Sequence, residues 1–391
     1  MDWQTLVTVL PTAASATLYT LVQSSFIWSV ARAPRAPLPS VRPWVSVLKP
    51  VAGADDELRE NLESFARLDY PAFEILFGAA SADDPAVPIV QGFLAAHPEI
   101  TARLVWTTPP AGDIMNPKVA QLIDLTRAAR GSVIVVSDSN VRVPPGYLRS
   151  MIGTLLRPGV GLVSSRIRGS GERTLGAALE NAQLGAAIAP AVVAAHALFG
   201  RPITVGKSMA MRRADLARVG GWESVADVLA EDDVMGRRFH DLGYGVELCL
   251  SAVDNRNVAG TTARTIERHA RWARMRRALA PGFFLLEPLL SPLFVALATA
   301  LLAPSALALG AVLAALATQV VLAFFAHLAS GAERPLLLAA LEPARTAVAL
   351  ASHALALGSR RVSWRGNDLV IGPGSRLTPA RRRRAALAAA S

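Results

Sequence analysis

Apolar residues fall into three kinds of stretch along this chain. Positions 6–30 are mostly apolar and uncharged, with Thr, Ser and Gln interspersed. About 20 such residues cross the hydrocarbon core of a bilayer, so a membrane anchor is expected here. No basic segment precedes the run and no cleavage site follows it, which favours a signal anchor over a signal peptide. From Trp44 onward, short apolar runs alternate with stretches of helical period. The pattern predicts strands over 45–48, 73–79, 103–106 and 133–137. It predicts helices over 57–66, 87–96, 119–129 and 234–241. Alternation at this spacing implies an α/β fold with a mostly parallel sheet. Positions 283–330 are the most apolar block, broken by Pro304 and Ser305. Two membrane helices of about 20 residues each fit that length. Positions 335–357 are interrupted by Glu342 and Arg345, which predicts an amphipathic interfacial helix.

Charge sharpens this picture. The 391 residues carry 40 Lys+Arg against 30 Asp+Glu, a formal net charge of +10. Mean hydropathy is +0.35. Arg32, Arg35 and Arg42 follow the first apolar run, and Arg264, Arg268, Arg271, Arg274, Arg276 and Arg277 precede the next. A further basic run occupies 381–384. Basic residues beside apolar spans mark the cytoplasmic side and attract anionic headgroups. No RNA- or DNA-binding motif accompanies them, so no nucleic-acid partner is expected. Cys249 is the single cysteine, which rules out an intrachain disulfide and a cysteine metal cluster.

The candidate chemistry lies where strands end, because ligands of open α/β sheets gather beyond the carboxyl ends of strands. Lys49 and Pro50 follow the first predicted strand, Asp83 and Asp84 come soon after the second, and Asp138 follows the fourth. Asp138 and Asn140 offer a carboxylate and an amide oxygen one residue apart. In extended chain both face one side and suit a hard cation such as Mg²⁺ or Mn²⁺. A turn is the simpler reading of that tripeptide. Asp84 suits a helix cap or a contact to a base or ribose. Asn116 and Lys118 put an amide and a cation at a predicted helix start. Glu231, Asp232 and Asp233 open another helix, where they complement its dipole or, through Asp232, supply a general base. On a helix, Arg268, Arg271 and Trp272 share a face, and paired arginines suit phosphate oxygens. Gly206, Lys207, Ser208 and Met209 read as a loop near the donor. Together these residues describe a site for a divalent metal, a diphosphate and a hydroxyl nucleophile.

The set Asp84, Asp138, Asp232 and Arg268-x-x-Arg271-Trp272 resembles the signature of family 2-like inverting glycosyltransferases with a GT-A fold. More narrowly it resembles the ceramide glucosyltransferase family (family 21). Further matching segments run over 47–50, 61–65, 69–71, 116–118, 137–143 and 229–232, with Trp364, Arg365 and Gly366 near the end. The resemblance implies a GT-A domain, a nucleotide-diphospho-sugar fold with a Rossmann-like mixed sheet, carrying membrane helices on both sides. The expected layout is an N-terminal transmembrane anchor (1–31), a cytoplasmic GT-A domain (32–281) and a membrane hairpin, interfacial helix and basic tail (282–391). Lys49, Pro50, Asp84, Asn116, Lys118 and Asp138 would bind the UDP-sugar. Asp138 and Asn140 would hold the metal, with Asn140 replacing a more usual carboxylate. Asp232 would be the base, and Arg268, Arg271 and Trp272 would complete the site. The acceptor would be a membrane lipid: ceramide first, with hopanoid, diacylglycerol and polyprenyl phosphate as alternatives.

Overall fold

The computed structural model describes residues 3–33, 39–200, 203–364 and 367–380. Arg35, the run 381–384, Arg365 and Gly366 lie outside the described residues. The strands of the main sheet are β1 (Val45–Pro50), β2 (Phe73–Ala79), β3 (Ala102–Trp106), β4 (Val133–Ser137), β5 (Val141–Arg142), β6 (Val160–Ser170), β7 (Ser208–Arg212) and β8 (Gly245–Arg256). They are ordered β3-β2-β1-β4-β7-β6-β8-β5.

β1 to β4 are mutually parallel, and period-two burial explains why they form. Val45, Val47, Ile75, Phe77, Val133 and Val135 face one core, whereas Leu48, Leu76, Ile134 and Val136 face the other. Helices Leu58–Ala66 and Ala86–Ala96 cover the first face, and Pro117–Ala128 covers the second. The other half of the sheet holds the antiparallel pairings that a mixed sheet requires. β7 pairs antiparallel with both β4 and β6, β6 and β8 are parallel, and β5 is antiparallel to β8. The sheet is therefore mixed, and β7 brings the 204–208 turn beside the end of β4.

A small antiparallel sheet of β9 (Arg361–Trp364), β10 (Asn367–Ile371) and β11 (Leu377–Pro379) supports the site from the other side. Ser375 O accepts from Leu229 N at 2.9 Å, and its Oγ accepts from Ala230 N at 3.1 Å. These bonds fix the backbone that leads into helix Glu231–Asp241.

Among the described residues, three helices are long and apolar enough to cross a membrane: Leu6–Ala31, Leu175–Phe199 and Ala306–Ser330. The first and third match the expected apolar segments. The block expected to supply a further 20-residue span before Pro304 is instead two short pieces. Pro281–Leu290 and Pro292–Leu302 meet at an 80° bend. Proline at the first turn of each new helix and an extended Ser291 account for the break. Leu175–Phe199 carries Glu180, Asn181 and Gln183, which hide its apolar character from a hydropathy reading. Two of those polar residues face the interior: Glu180 and Asn181 are buried against the helix Thr262–Leu279 and the turn that follows β8. Glu342 and Arg345, which interrupt 335–357, are likewise turned inward. They form a buried pair at 2.7 Å that also engages Gln319 and Gln183.

Candidate active site

The site begins at Asp138, in the turn that follows β4. One carboxylate oxygen lies 2.9 Å from Lys118 Nζ and the other 3.1 Å from Lys207 Nζ. Lys49 supports the turn from below: it is fully buried, stacked 4.0 Å over the Phe65 ring, and donates to Asp138 O at 2.9 Å. Burial pushes the Lys49 ammonium down to about 7. Burial alone would raise the Asp138 carboxyl, but Lys118 and Lys207 outweigh it and hold the group well below the usual carboxylate range. Burial would likewise lower Lys118, but Asp138, Glu231 and Asp232 keep it firmly protonated.

Asn140 lies in the same turn rather than in extended chain, yet its oxygen still meets that of Asp138. Lys207 Nζ donates to Asn140 Oδ1 at 2.9 Å while it pairs with Asp138. The ammonium shows that the two oxygens converge on one cationic point. Among the described residues no cluster of three or more His, Cys, Asp or Glu side chains forms a metal cage. A carboxylate and an amide oxygen still suit Mg²⁺, which takes few protein ligands and fills its shell from phosphates and water.

Asp232 sits in the first turn of Glu231–Asp241. Its Oδ2 accepts from Gly206 N at 2.6 Å and its Oδ1 from Asp233 N at 2.9 Å. A Cβ on Gly206 would lie 2.8 Å from Asp232 Oδ2, so only glycine permits this approach. Burial, with Glu231 alongside, pushes the Asp232 carboxyl up to about 7. Glu231 pairs with Lys118 at 3.0 Å, so one lysine links the Asp138 and Asp232 ends of the site.

Arg268, Arg271 and Trp272 lie on helix Thr262–Leu279. Arg268 donates to Glu180 at 3.2 Å and to Asn257 at 3.0 Å. Trp272 meets His269 edge-on, with centroids 5.0 Å apart, and packs against the β1–β4 core. Pro50, Lys118, Asp138, Asn140, Asp232, Arg268, Arg271 and Trp272 all line one cavity of about 2160 Å³.

Three predicted residues stand behind its wall. Lys49 carries the Asp138 turn. Asp84 accepts from Gly53 N at 2.9 and 3.0 Å and from Ala86 N at 2.8 Å, tying the loop after β1 to helix Ala86–Ala96. Asn116 is fully buried; it caps Pro117–Ala128 through Lys118 N and Val119 N, and it donates to Val228 O at 2.7 Å. Lys207 and Glu180, conversely, contribute more than the motifs indicated. The loop read over 206–209 was the only sign of the first, and its second half, Ser208 and Met209, instead begins β7 because it pairs with β4 and β6; an isolated Glu in an apolar helix carries no sign at all.

A mixed α/β sheet thus carries an acidic, lysine-bridged site at the ends of its central strands. The family model Glycosyl transferase family 21 matches residues 8–377, and the chain belongs to that family. Ceramide glucosyltransferase 1 of Caenorhabditis elegans is 30% identical over 248 residues, 63% of this chain and 53% of the relative. Ceramide glucosyltransferase of Komagataella phaffii is 31% identical over 123 residues, 31% of this chain and 24% of the relative. The chain thus matches about half the length of the nematode protein and less of the yeast one. A solved mannosyltransferase from Pyrobaculum calidifontis, in complex with GDP-Man and Mn²⁺, aligns over 89% of this chain and 99% of its own. Its identity is 21% and its TM-score 0.49.

Proposed function

We propose that this protein is a membrane-bound inverting glycosyltransferase that moves glucose from UDP-glucose to the hydroxyl of a lipid, with ceramide as acceptor. One observation carries the reading. The cavity that holds Asp138, Asp232, Arg271 and Trp272 is also lined by Leu18 and Val22 of the first apolar helix and by Leu350 of the helix Glu342–Gly358. At about 2160 Å³ it exceeds the roughly 300–1,000 Å³ of an ordinary small-molecule site, leaving room for a nucleotide sugar and a lipid together.

In this reaction Asp232 takes the proton of the lipid hydroxyl, whose oxygen bonds to the anomeric carbon. The bond from that carbon to the β-phosphate oxygen breaks, its electron pair leaves with UDP, and an α-linked donor yields a β-glycoside. Lys118, Lys207, Arg268 and Arg271 surround the place where diphosphate charge grows, the kind of preorganised stabilisation that lowers such barriers. Asp138 and Asn140 would hold a divalent cation, which when bound neutralises diphosphate charge. Asp84, Asn116 and Lys49 act by holding the loops that carry these groups, and Trp272 forms a flat wall beside them. The catalytic domain, residues 32–281, faces the cytoplasm, with membrane segments at 1–31 and within 282–391. The names of the nematode and yeast relatives support glucose and ceramide as the substrates.

The test is incubation of the purified protein with UDP-glucose or UDP-GlcNAc and a panel of ceramide, diacylglycerol and hopanoid, with and without Mg²⁺ or Mn²⁺. Mass spectrometry identifies the products. Glucosylceramide formation is expected; absence of transfer to every lipid overturns the enzyme reading, and transfer to hopanoid alone overturns the acceptor.

A further inference from the structure

Two ammonium groups hold the Asp138 carboxylate, and they are themselves held very differently. Lys118 Nζ donates to Asp138 Oδ1 at 2.9 Å, to Glu231 Oε1 at 3.0 Å and to Gly206 O at 2.9 Å. Those three acceptors use all three of its N–H donors. Lys207 Nζ has two partners among the described residues, Asp138 Oδ2 at 3.1 Å and Asn140 Oδ1 at 2.9 Å. One N–H is left over, and the side chain lines the cavity.

The backbone that carries Lys207 is pinned on both sides. Gly206 N donates to Asp232 Oδ2 at 2.6 Å, and Asp138 N donates to Lys207 O at 3.2 Å. Ser208, the next residue, is paired with Ser137 of β4. Only the flexible four-carbon stem of Lys207 is free to swing. Asn140 is fixed as well: its Nδ2 donates to Asn255 Oδ1 at 3.0 Å, which turns its own oxygen toward Lys207. Lys207 is thus the movable member of a rigid set. It sits on the two oxygens that suit a divalent cation, and two cations in contact repel, so ammonium and metal compete for them.

We infer that Lys207 is a resident counter-ion of the metal site, yielding Asp138 and Asn140 to a divalent cation only when a nucleotide diphosphate arrives to accept its ammonium. This inference rests on the nucleotide-sugar reading proposed above and adds the order in which the site assembles. A metal ion arriving alone must break two hydrogen bonds from a charged donor. It also leaves two ammonium groups beside a doubly positive ion. A diphosphate removes both obstacles, because its oxygens accept from Lys207 and its charge offsets that of the metal. Metal and donor therefore bind with positive coupling, and each strengthens the other by the same factor.

The test reads Mn²⁺ binding by the full-length protein in detergent, with and without UDP, from the electron paramagnetic resonance signal of free Mn²⁺. The Mn²⁺–UDP complex that forms without protein is measured separately and subtracted. Calorimetry gives UDP binding without metal. Wild type should bind Mn²⁺ weakly alone and about tenfold or more tightly with UDP, an ordinary coupling between sites. Lys207→Met keeps the stem and removes the charge. It should bind Mn²⁺ alone about tenfold more tightly than wild type, the scale of one hydrogen bond to a charged group. It should also bind metal-free UDP several-fold more weakly. Arg237→Met removes another charge that lines the cavity but pairs with Asp233 at 2.8 Å, and it should bind Mn²⁺ as wild type does. A wild-type Mn²⁺ affinity that UDP does not change overturns the inference, and that result needs no variant. Equal Mn²⁺ affinity in wild type and Lys207→Met, or an equal gain in Arg237→Met, overturns it too. UDP binding by wild type in any of these cases leaves the proposed function standing. Absence of UDP binding to wild type, with or without metal, removes both.

Discussion

At the scale of single residues, the Asp232 carboxylate accepts two backbone N–H groups, and its burial beside Glu231 still carries it up to about 7. A base must be ionised to accept a proton. Its active fraction therefore rises with pH through 7, and the rate of sugar transfer at saturating substrates should climb about tenfold between pH 6 and pH 8. Asp232→Asn should cost about 10²- to 10⁴-fold in kcat and abolish that rise. A variant that keeps both rate and pH profile would remove Asp232 from the chemistry. Gly206→Ala is a finer probe. Its methyl would press on Asp232 Oδ2 from 2.8 Å and lengthen the Gly206 N–H bond. The expected result is a fall in kcat with little change in thermal midpoint, read by kinetics beside a melting curve. The carboxylates of this site were legible in the sequence because they follow strands or open helices. The division into wall and support was not. Asn116 and Lys118 are two residues apart, yet one is a sealed cap and the other a site cation. Only the tertiary path of 226–231 over Asn116 separates them.

Among whole elements, β1 to β4 could be read directly because each carries apolar residues to both faces and a helix of ordinary length follows each of the first three. β6 and β8 escaped for a physical reason. Both mix polar residues and Gly into the strand; β6 (Val160–Ser170) is still buried for most of its length, since helices 147–155 and 175–188 cover it, and β8 packs against helix 147–155. Tertiary cover, rather than local pattern, makes them strands. The helix Glu342–Gly358 shows the same effect with charge. Glu342 and Arg345 look like a polar face but are a buried ion pair, satisfied by Gln319, which also donates to Thr346, and by Gln183. Removing one member of such a pair leaves a buried charge without compensation, worth about 3–5 kcal/mol. Glu342→Gln should therefore lower the thermal midpoint in detergent markedly, while Glu342→Met combined with Arg345→Met should recover most of the loss. Equal losses in the single and double variants would mean that packing, not the charge, is what the pair contributes.

For the molecule as a whole, the question is which way round it sits in the bilayer. Trp3 and Trp28 are both largely exposed, near opposite ends of the first helix, and Arg32 stacks 3.4 Å from the Trp28 ring centre. Trp favours the two membrane–water interfaces and Arg the cytoplasmic one. At 1.5 Å per residue the two indoles are about 37 Å apart along the helix, a distance that matches a bilayer with part of its headgroup layers. On the function proposed above, the helix crosses, Trp28 and Arg32 lie at the cytoplasmic face, and the sheet domain follows on that side. The chain lends itself to a direct test, because Cys249, its single cysteine, is buried. Glu99→Cys places a thiol on the surface of the sheet domain, where the Glu99 side chain is 68% exposed, and Trp3→Cys places one at the far end of the helix. A membrane-impermeant maleimide should label Glu99→Cys in sealed vesicles whose cytoplasmic face points outward. Trp3→Cys should be labelled there only after permeabilisation, and vesicles of the opposite sidedness should reverse the pattern. Labelling of both positions from one side would mean that the helix turns back within the bilayer, and labelling of Glu99→Cys from the non-cytoplasmic side alone would place the catalytic domain outside. Either result would also move the lipid-facing mouth of the cavity to a different leaflet, and with it the pool from which the acceptor is drawn.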